Sequence, residues 1–370
     1  PADPEGGSVL KDAQGRPTGV FIDNAGGLVG RAVPSPSMDE QTLMLERALQ
    51  ETARYGLTGV HEAGIGIGTI RLYQNAIDDG RFPLRLYAMI GGEGLTMDHF
   101  CDQGLMPDYK GRLAVRSLKL YMDGALGSRG AAMIEPYSDD PTNHGLLLTS
   151  PDRYADIVAR AMACGLQVNT HAIGDRANRI VLDTYAQMIP QATDNAGRHR
   201  IEHAQVVVSP EDIARFAPLG IIASMQPAHA TSDMPWAEDR VGSERIQGAY
   251  AWRSFLDSGA RLALGSDFPV ERVDPLLGFY SSVTRQDADQ MPEGGWYPSQ
   301  LLTRAEALRG FTLDAAYAGF MEDEVGSLTP GKRADFVVLS RDIMTVPTDQ
   351  ILDAEVVATF LDGAAIYGRL

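Results

Sequence analysis

The chain has 370 residues, long enough to bury a large core, and its 44% hydrophobic and 22% charged residues describe an ordinary globular protein. A formal net charge of −17 with no compensating basic stripe argues against nucleic acid or an anionic membrane as partner. No run approaches the roughly 18 apolar residues of a membrane span, and no signal-peptide pattern is read. The expectation is a cytoplasmic protein, with a homo-oligomer left open. Two cysteines, Cys101 and Cys164, are too few for a disulfide framework, so a reduced pair is expected.

Residues 1–37 open PADPEGGSVLKDAQGRPTG, with no early hydrophobic element, and read as a loop or the remnant of an insertion. Residues 38–55 read as an amphipathic helix, opened by the capping-box pair Ser37 and Glu40 and stopped at Gly56. LTGVHEAG (57–64) reads as a strand, 67–79 as a helix, and PLRLYAMIG (83–91) and LAVRSLKLYM (113–122) as further strands. The stretch 123–149 is a loop rich in Gly, Pro, Asp and Ser, and a loop of that length is usually functional.

From there the alternation is regular. Ser150-Pro151 opens a helix that stops at Gly165, and LQVNTH follows as a strand. A helix over 175–189 precedes the strand RHRIEHAQVV. Ser209-Pro210 opens a helix closed near Gly220, before the strand IIASMQ (221–226). A helix over 243–258 leads to the strand RLALGSD. Such alternation means βα units on a parallel sheet, and seven strands are read where a βα barrel needs eight. A helix over 304–318, opened by Thr303 and Glu306, ends this region. GSLTPGKRADFVVL then reads as a turn and strand, and VVATFLDGAAIY as a hairpin turning at Asp362-Gly363. The expected α/β architecture is a TIM-like (β/α) barrel over 38–322 that lacks its first strand, with a β-sandwich segment over 323–370.

Lys119, His171, His203 and Asp267 each close one of the apolar runs. Catalytic groups of a barrel enzyme sit at the C-terminal ends of its strands. Taken singly, each histidine is more often a packing residue than a ligand. Together, imidazoles and a carboxylate suit Zn²⁺ and related ions, which lower the pKa of bound water and polarise a carbonyl. His171 and His203 could share one ion. Asp267 could ligate, carry a proton, or instead cap a following helix. The Lys119 ammonium is a poor ligand, but a neutral amine can take up CO₂ to give an anionic carbamate able to bridge two metals.

The motifs KLYMDGALGSRGA (119–131), EPYSDDPTNHGLLL (135–148), NTHAIGDRAN (169–178), HRIEHAQ (199–205), GSDFPVE (265–271) and VGSLTPGKRADFVVL (325–339) span most of the chain. In that order they resemble the metal-dependent amidohydrolase superfamily, and within it the family 3 branch of N-substituted formamide deformylase-like proteins. The resemblance implies a distorted βα barrel plus a small β-sandwich built from both chain termini. It also implies one or two divalent ions, zinc being expected, held by a carboxylated Lys119, His171, His203 and Asp267. The implied reaction is hydrolysis of a non-peptide C–N bond in a small amide or formamide-like substrate. Metal-activated water would be the nucleophile, and Asp267 the proton carrier.

Asp123 and Arg129 in the long loop, with His61 and His229, are candidate substrate contacts, although for His61 packing is the stronger reading. One departure is large. The family's His-x-His pair has no counterpart among the seven histidines, and with the loop-like start this leads to the expectation of a fragment lacking an N-terminal portion. Two other readings stand beside the hydrolase: a non-catalytic homologue with a binding or regulatory role, and a cyclic amidase or deaminase of the same superfamily.

Overall fold

The computed structural model describes residues 2–189 and 197–369. β1 (Gly7–Lys11) and β2 (Pro17–Asp23) pair antiparallel as a hairpin. The chain then lays down β3 (Gly59–Ile65), β4 (Arg85–Gly91), β5 (Met106–Tyr109), β6 (Leu113–Tyr121), β7 (Gln167–Ala172), β8 (Arg200–His203), β9 (Ile222–Met225) and β10 (Arg261–Leu264). These form one curled sheet in the order β10-β9-β8-β7-β6-β4-β3, all parallel, with β5 added antiparallel to β6. Helices follow most strands, as the buried runs on both sheet faces require. The seven parallel strands are those read from the sequence. The sheet is open, for no pairing joins β3 to β10 among the described residues.

β11 (Phe336–Leu339), β12 (Val356–Leu361) and β13 (Ala364–Gly368) form a separate antiparallel sheet. Asp362 and Gly363 turn the β12–β13 hairpin at φ 50° and 78°, as their residue types allow. This sheet is fastened to the barrel by charge. The buried Arg85 guanidinium bonds both oxygens of Asp335 (2.5 and 2.9 Å) and Oδ1 of Asp362 (2.6 Å). Thr359 adds a hydrogen bond to the carbonyl of Ala53 at 2.7 Å.

Both expected capping boxes form, Ser37 with Glu40 and Thr303 with Glu306. Four expectations need correction. Residues 1–37 hold the β1–β2 hairpin; its apolar alternation is faint because most of β2 faces solvent. The 243–258 helix is broken into Ala237–Arg245, a 3₁₀ turn and Trp252–Asp257. Between them Tyr250 donates its N–H to the carbonyl of Gln205 (2.7 Å), and Ala249 bridges to Val206, so tertiary pairing wins over helix continuation. The 304–318 helix likewise divides at Thr312, whose φ of −125° and ψ of −84° are not helical.

The fourth correction concerns the cysteines. Cys101 ends up beside Cys164, with Cα atoms 5.1 Å apart, and the two form a disulfide. The helix Leu95–Gln103 carries the first, and the second caps the helix Pro151–Ala163. A count of two cannot reveal such a contact, because it depends on how β4, β6 and β7 stack their helices. The bond closes a 63-residue loop that contains all of β6. Closing a loop of that length removes denatured-state entropy worth about 4 kcal/mol in the chain-entropy view. Cys101→Ser should therefore lower the unfolding free energy by roughly 2–4 kcal/mol, read from urea melts with and without reductant. Equal stability of the variant and the oxidised wild type would refute it.

Candidate metal centre

Alternation along a strand, combined with parallel register, sets the floor of the site. Lys119, Asn169 and Arg200 are register partners across β6, β7 and β8, and so, two residues on, are Tyr121, His171 and Glu202. With a side-chain period of two, both rows face the barrel interior. Beneath them Tyr87 donates its hydroxyl to Gln167 (3.0 Å), and Gln167 in turn donates to the carbonyl of Ala318 (3.0 Å). Arg200 reaches the same carbonyl and donates to Nδ1 of His61 at 2.8 Å.

Above this floor the histidines converge. The His171 and His203 rings meet edge-on with centroids 4.6 Å apart, and His203 stacks on His229 at 5.7 Å. His203 ends β8 with φ of 76°, a left-handed turn that redirects its side chain from the strand's alternation. Its Nδ1 donates to Oε1 of Gln226 (2.8 Å), which leaves Nε2 as the lone-pair nitrogen of the neutral ring. His229 lies in the helix Pro227–Asp233 directly after β9, with a buried Nε2 that makes no hydrogen bond. That nitrogen is 3.7 Å from Oδ2 of Asp267. Ligand atoms of His203, His229 and Asp267 all lie within 4.8 Å of one another.

Burial decides the protonation of this group. It pulls His229 down to about 4, and His171, which also feels the charge on Lys119, down to about 3. His203 falls well below the ordinary histidine value for the same reason, with the neighbouring His171 and Lys119 adding to it. All three rings are neutral at neutral pH, which is the form that binds metal. Burial raises Asp267 to about 6 while Lys119 opposes the rise. It also lowers Lys119, against the attraction of Glu202 and Asp267.

The remaining candidates separate. Lys119 lines a cavity of about 440 Å³ together with Asn24, Tyr121, Thr149 and Arg153. Asp123 is fully buried and accepts three backbone N–H groups, from Ala132, Ile173 and Gly174, at 2.8–2.9 Å. Burial nonetheless pushes its pKa up to about 8. It thereby ties the long loop to the turn after β7, 3.6 Å from His171 Nε2. Arg129 is engaged with Asp139, through bonds of 3.0 and 2.9 Å. His61 contacts Arg200 and Tyr87 and does not join the histidine cluster. Asn169, Glu202 and Gln226 were not singled out from the sequence. The first two sit one alternation before, or directly beside, a chosen histidine, which was the available signal.

A model of the amidohydrolase family matches residues 1–367. The chain belongs to that family. Protein LONG AFTER FAR-RED 3 of Arabidopsis thaliana is 34% identical to this amidohydrolase over 379 residues, covering 99% of the chain and 64% of that protein. The N-substituted formamide deformylase of Arthrobacter pascens is 29% identical over 385 residues, covering 99% and 68%. A solved metal-dependent hydrolase from Pyrococcus furiosus aligns with a TM-score of 0.75 at 29% identity, covering 87% of the chain and 64% of that structure. The chain thus spans about two thirds of the length of these proteins. No helix among the described residues is long and apolar enough to cross a membrane.

Asp123→Ala should destabilise the fold by roughly 3 kcal/mol, because it strands three buried N–H donors. Chemical denaturation measures this directly, and a loss under 1 kcal/mol would contradict the structural role assigned to the carboxylate.

Proposed function

We propose that this amidohydrolase carries the metal-binding side of an enzyme that hydrolyses a non-peptide C–N bond in a small amide or formamide-like molecule. The convergence of His203, His229 and Asp267 carries the reading. A buried Nε2 without a hydrogen bond on His229 is costly unless something occupies it, and two imidazoles with one carboxylate are a donor set suited to zinc. His171 and a carbamate on Lys119 would complete the set from the other side. When bound, such an ion supplies Lewis acidity at a substrate carbonyl and acidifies water.

The chain's own residues do the rest. Gln226 fixes the tautomer of His203, and the three neutral rings keep lone pairs available. Asp267 is partly exposed at the mouth, placed to take a proton from the attacking water and deliver it to the leaving amine. The barrel over 38–322 would form the catalytic unit, with residues 323–370 as a buttress. A cytoplasmic setting would accompany this reading. The Cys101–Cys164 bond pulls the other way, since disulfides persist mainly in oxidising compartments.

The test is metal analysis together with turnover of small formamides and amides, following release of acid and amine. Wild-type protein should hold zinc, and His229→Ala should lose at least half of it. Asp267→Asn should lower kcat by about 10²–10⁴. Zinc-saturated protein that hydrolyses none of these substrates would overturn the reading; ammonia release from an aminated ring would redirect it to a deaminase. Alkylation of thiols before and after reduction tests the disulfide, and two free thiols in the protein as isolated would remove this objection to a cytoplasmic setting.

A further inference from the structure

Directly below the histidines lies a set of buried polar atoms that nothing described so far uses. Asn169 is completely buried, yet neither Nδ2 nor Oδ1 makes a hydrogen bond. Nε of Arg200 and Oε1 of Glu202 are in the same state. Each such group costs about 1–3 kcal/mol when left unmet, so four in one place call for a common partner. Register supplies the neighbour they share, because Lys119 and Asn169 are paired residues on adjacent strands and Arg200 is next in the row. Adjacent strands lie about 4.8 Å apart, so the side chains of the pair stand shoulder to shoulder.

The amine of Lys119 makes no hydrogen bond or ion pair among the described residues, and it lies over the face of Tyr121, 4.8 Å from the ring centroid. An ammonium would suit Oδ1 of Asn169 and Oε1 of Glu202. It would leave Nδ2 and the Arg200 Nε idle, because it can only donate. A carbamate presents one N–H and two oxygens. Those match an amide, which both donates and accepts, and give the Arg200 Nε an acceptor.

We propose that Asn169 is a positioning residue for a carbamate on Lys119, its amide nitrogen donating to a carbamate oxygen and its amide oxygen accepting the carbamate N–H. This rests on the reading of Lys119 given under the proposed function. The neutral amine attacks the carbon of CO₂, and an N–C bond forms as one C=O π pair moves onto oxygen. The nitrogen gives one proton to solvent, and nothing is oxidised or reduced.

The experiment is ¹³C NMR of the zinc-loaded full chain equilibrated with ¹³C-bicarbonate. Wild type should give one carbamate resonance, absent from Lys119→Met. Asn169→Leu should keep the wild-type melting temperature within a few degrees and lose about tenfold in carbamate occupancy, the effect of one hydrogen bond to a charged group. If that variant does not fold, Asn169→Asp, of the same shape but setting a like charge beside the carbamate, decides with the same expected loss. No resonance in wild type overturns both the Lys119 reading and this proposal. A wild-type resonance that survives undiminished in the folded Asn169 variants overturns only the role of Asn169.

Discussion

The parallel register of β6, β7 and β8 is the constraint on which the site depends. It places Lys119, Asn169 and Arg200 in one row and Tyr121, His171 and Glu202 in the next. Because side chains alternate with period two, slipping one strand by a single residue would turn that strand's members of both rows toward the helices. The interior of this barrel is therefore polar at mid-height, where branched aliphatic layers usually fill such a fold. That arrangement is tolerable only because the lower half is closed by complementary bonds. Ala318 receives both Gln167 and Arg200, and Tyr87 satisfies the other end of Gln167.

Strand alternation alone would not build the histidine cluster. His203 belongs by parity to the face opposite Glu202, and its left-handed backbone returns it to the mouth. Asp267 also adopts positive φ, at 59°, just beyond β10. Non-glycine residues held this way are uncommon, and they gather where a site prescribes the direction of a side chain. The long loop is held by a comparable device. A Cβ on Gly124 or Gly130 would fall 2.3 Å from the carboxylate of Asp23, so the bare backbone lets the β1–β2 hairpin close over the loop.

Much of this was legible in the sequence. Strand-end placement of Lys119, His171, His203 and Asp267 follows from apolar runs that stop at a polar residue and a turn. Two capping boxes and the Asp362-Gly363 hairpin are local chemistry, and local chemistry is what a sequence displays. The misses share a cause in tertiary contact. The disulfide joins helices 63 residues apart, and the break before Trp252 depends on the backbone of Gln205. His229 reads from the sequence only as a possible substrate contact, since it lies outside the family motifs; in the structure it follows β9 on a short helix. Nothing local reveals that the helix points its ring at Asp267.

The three histidines differ in what depresses their basicity. His171 lies next to Lys119, and the positive charge there depresses its basicity further. For His229, burial alone is responsible, and its free nitrogen already faces a carboxylate. Lys119 lowers His203 as well, so under the proposed function an entering ion would meet His229 and Asp267 as the donors least opposed by that charge while Lys119 remains an ammonium. Conversion of that ammonium to an anion would reverse the sign of the field at His171 and His203 alike. The chemical state of one lysine would then set how readily both of those rings take up an ion, with the polar row beneath it tuned to the anion.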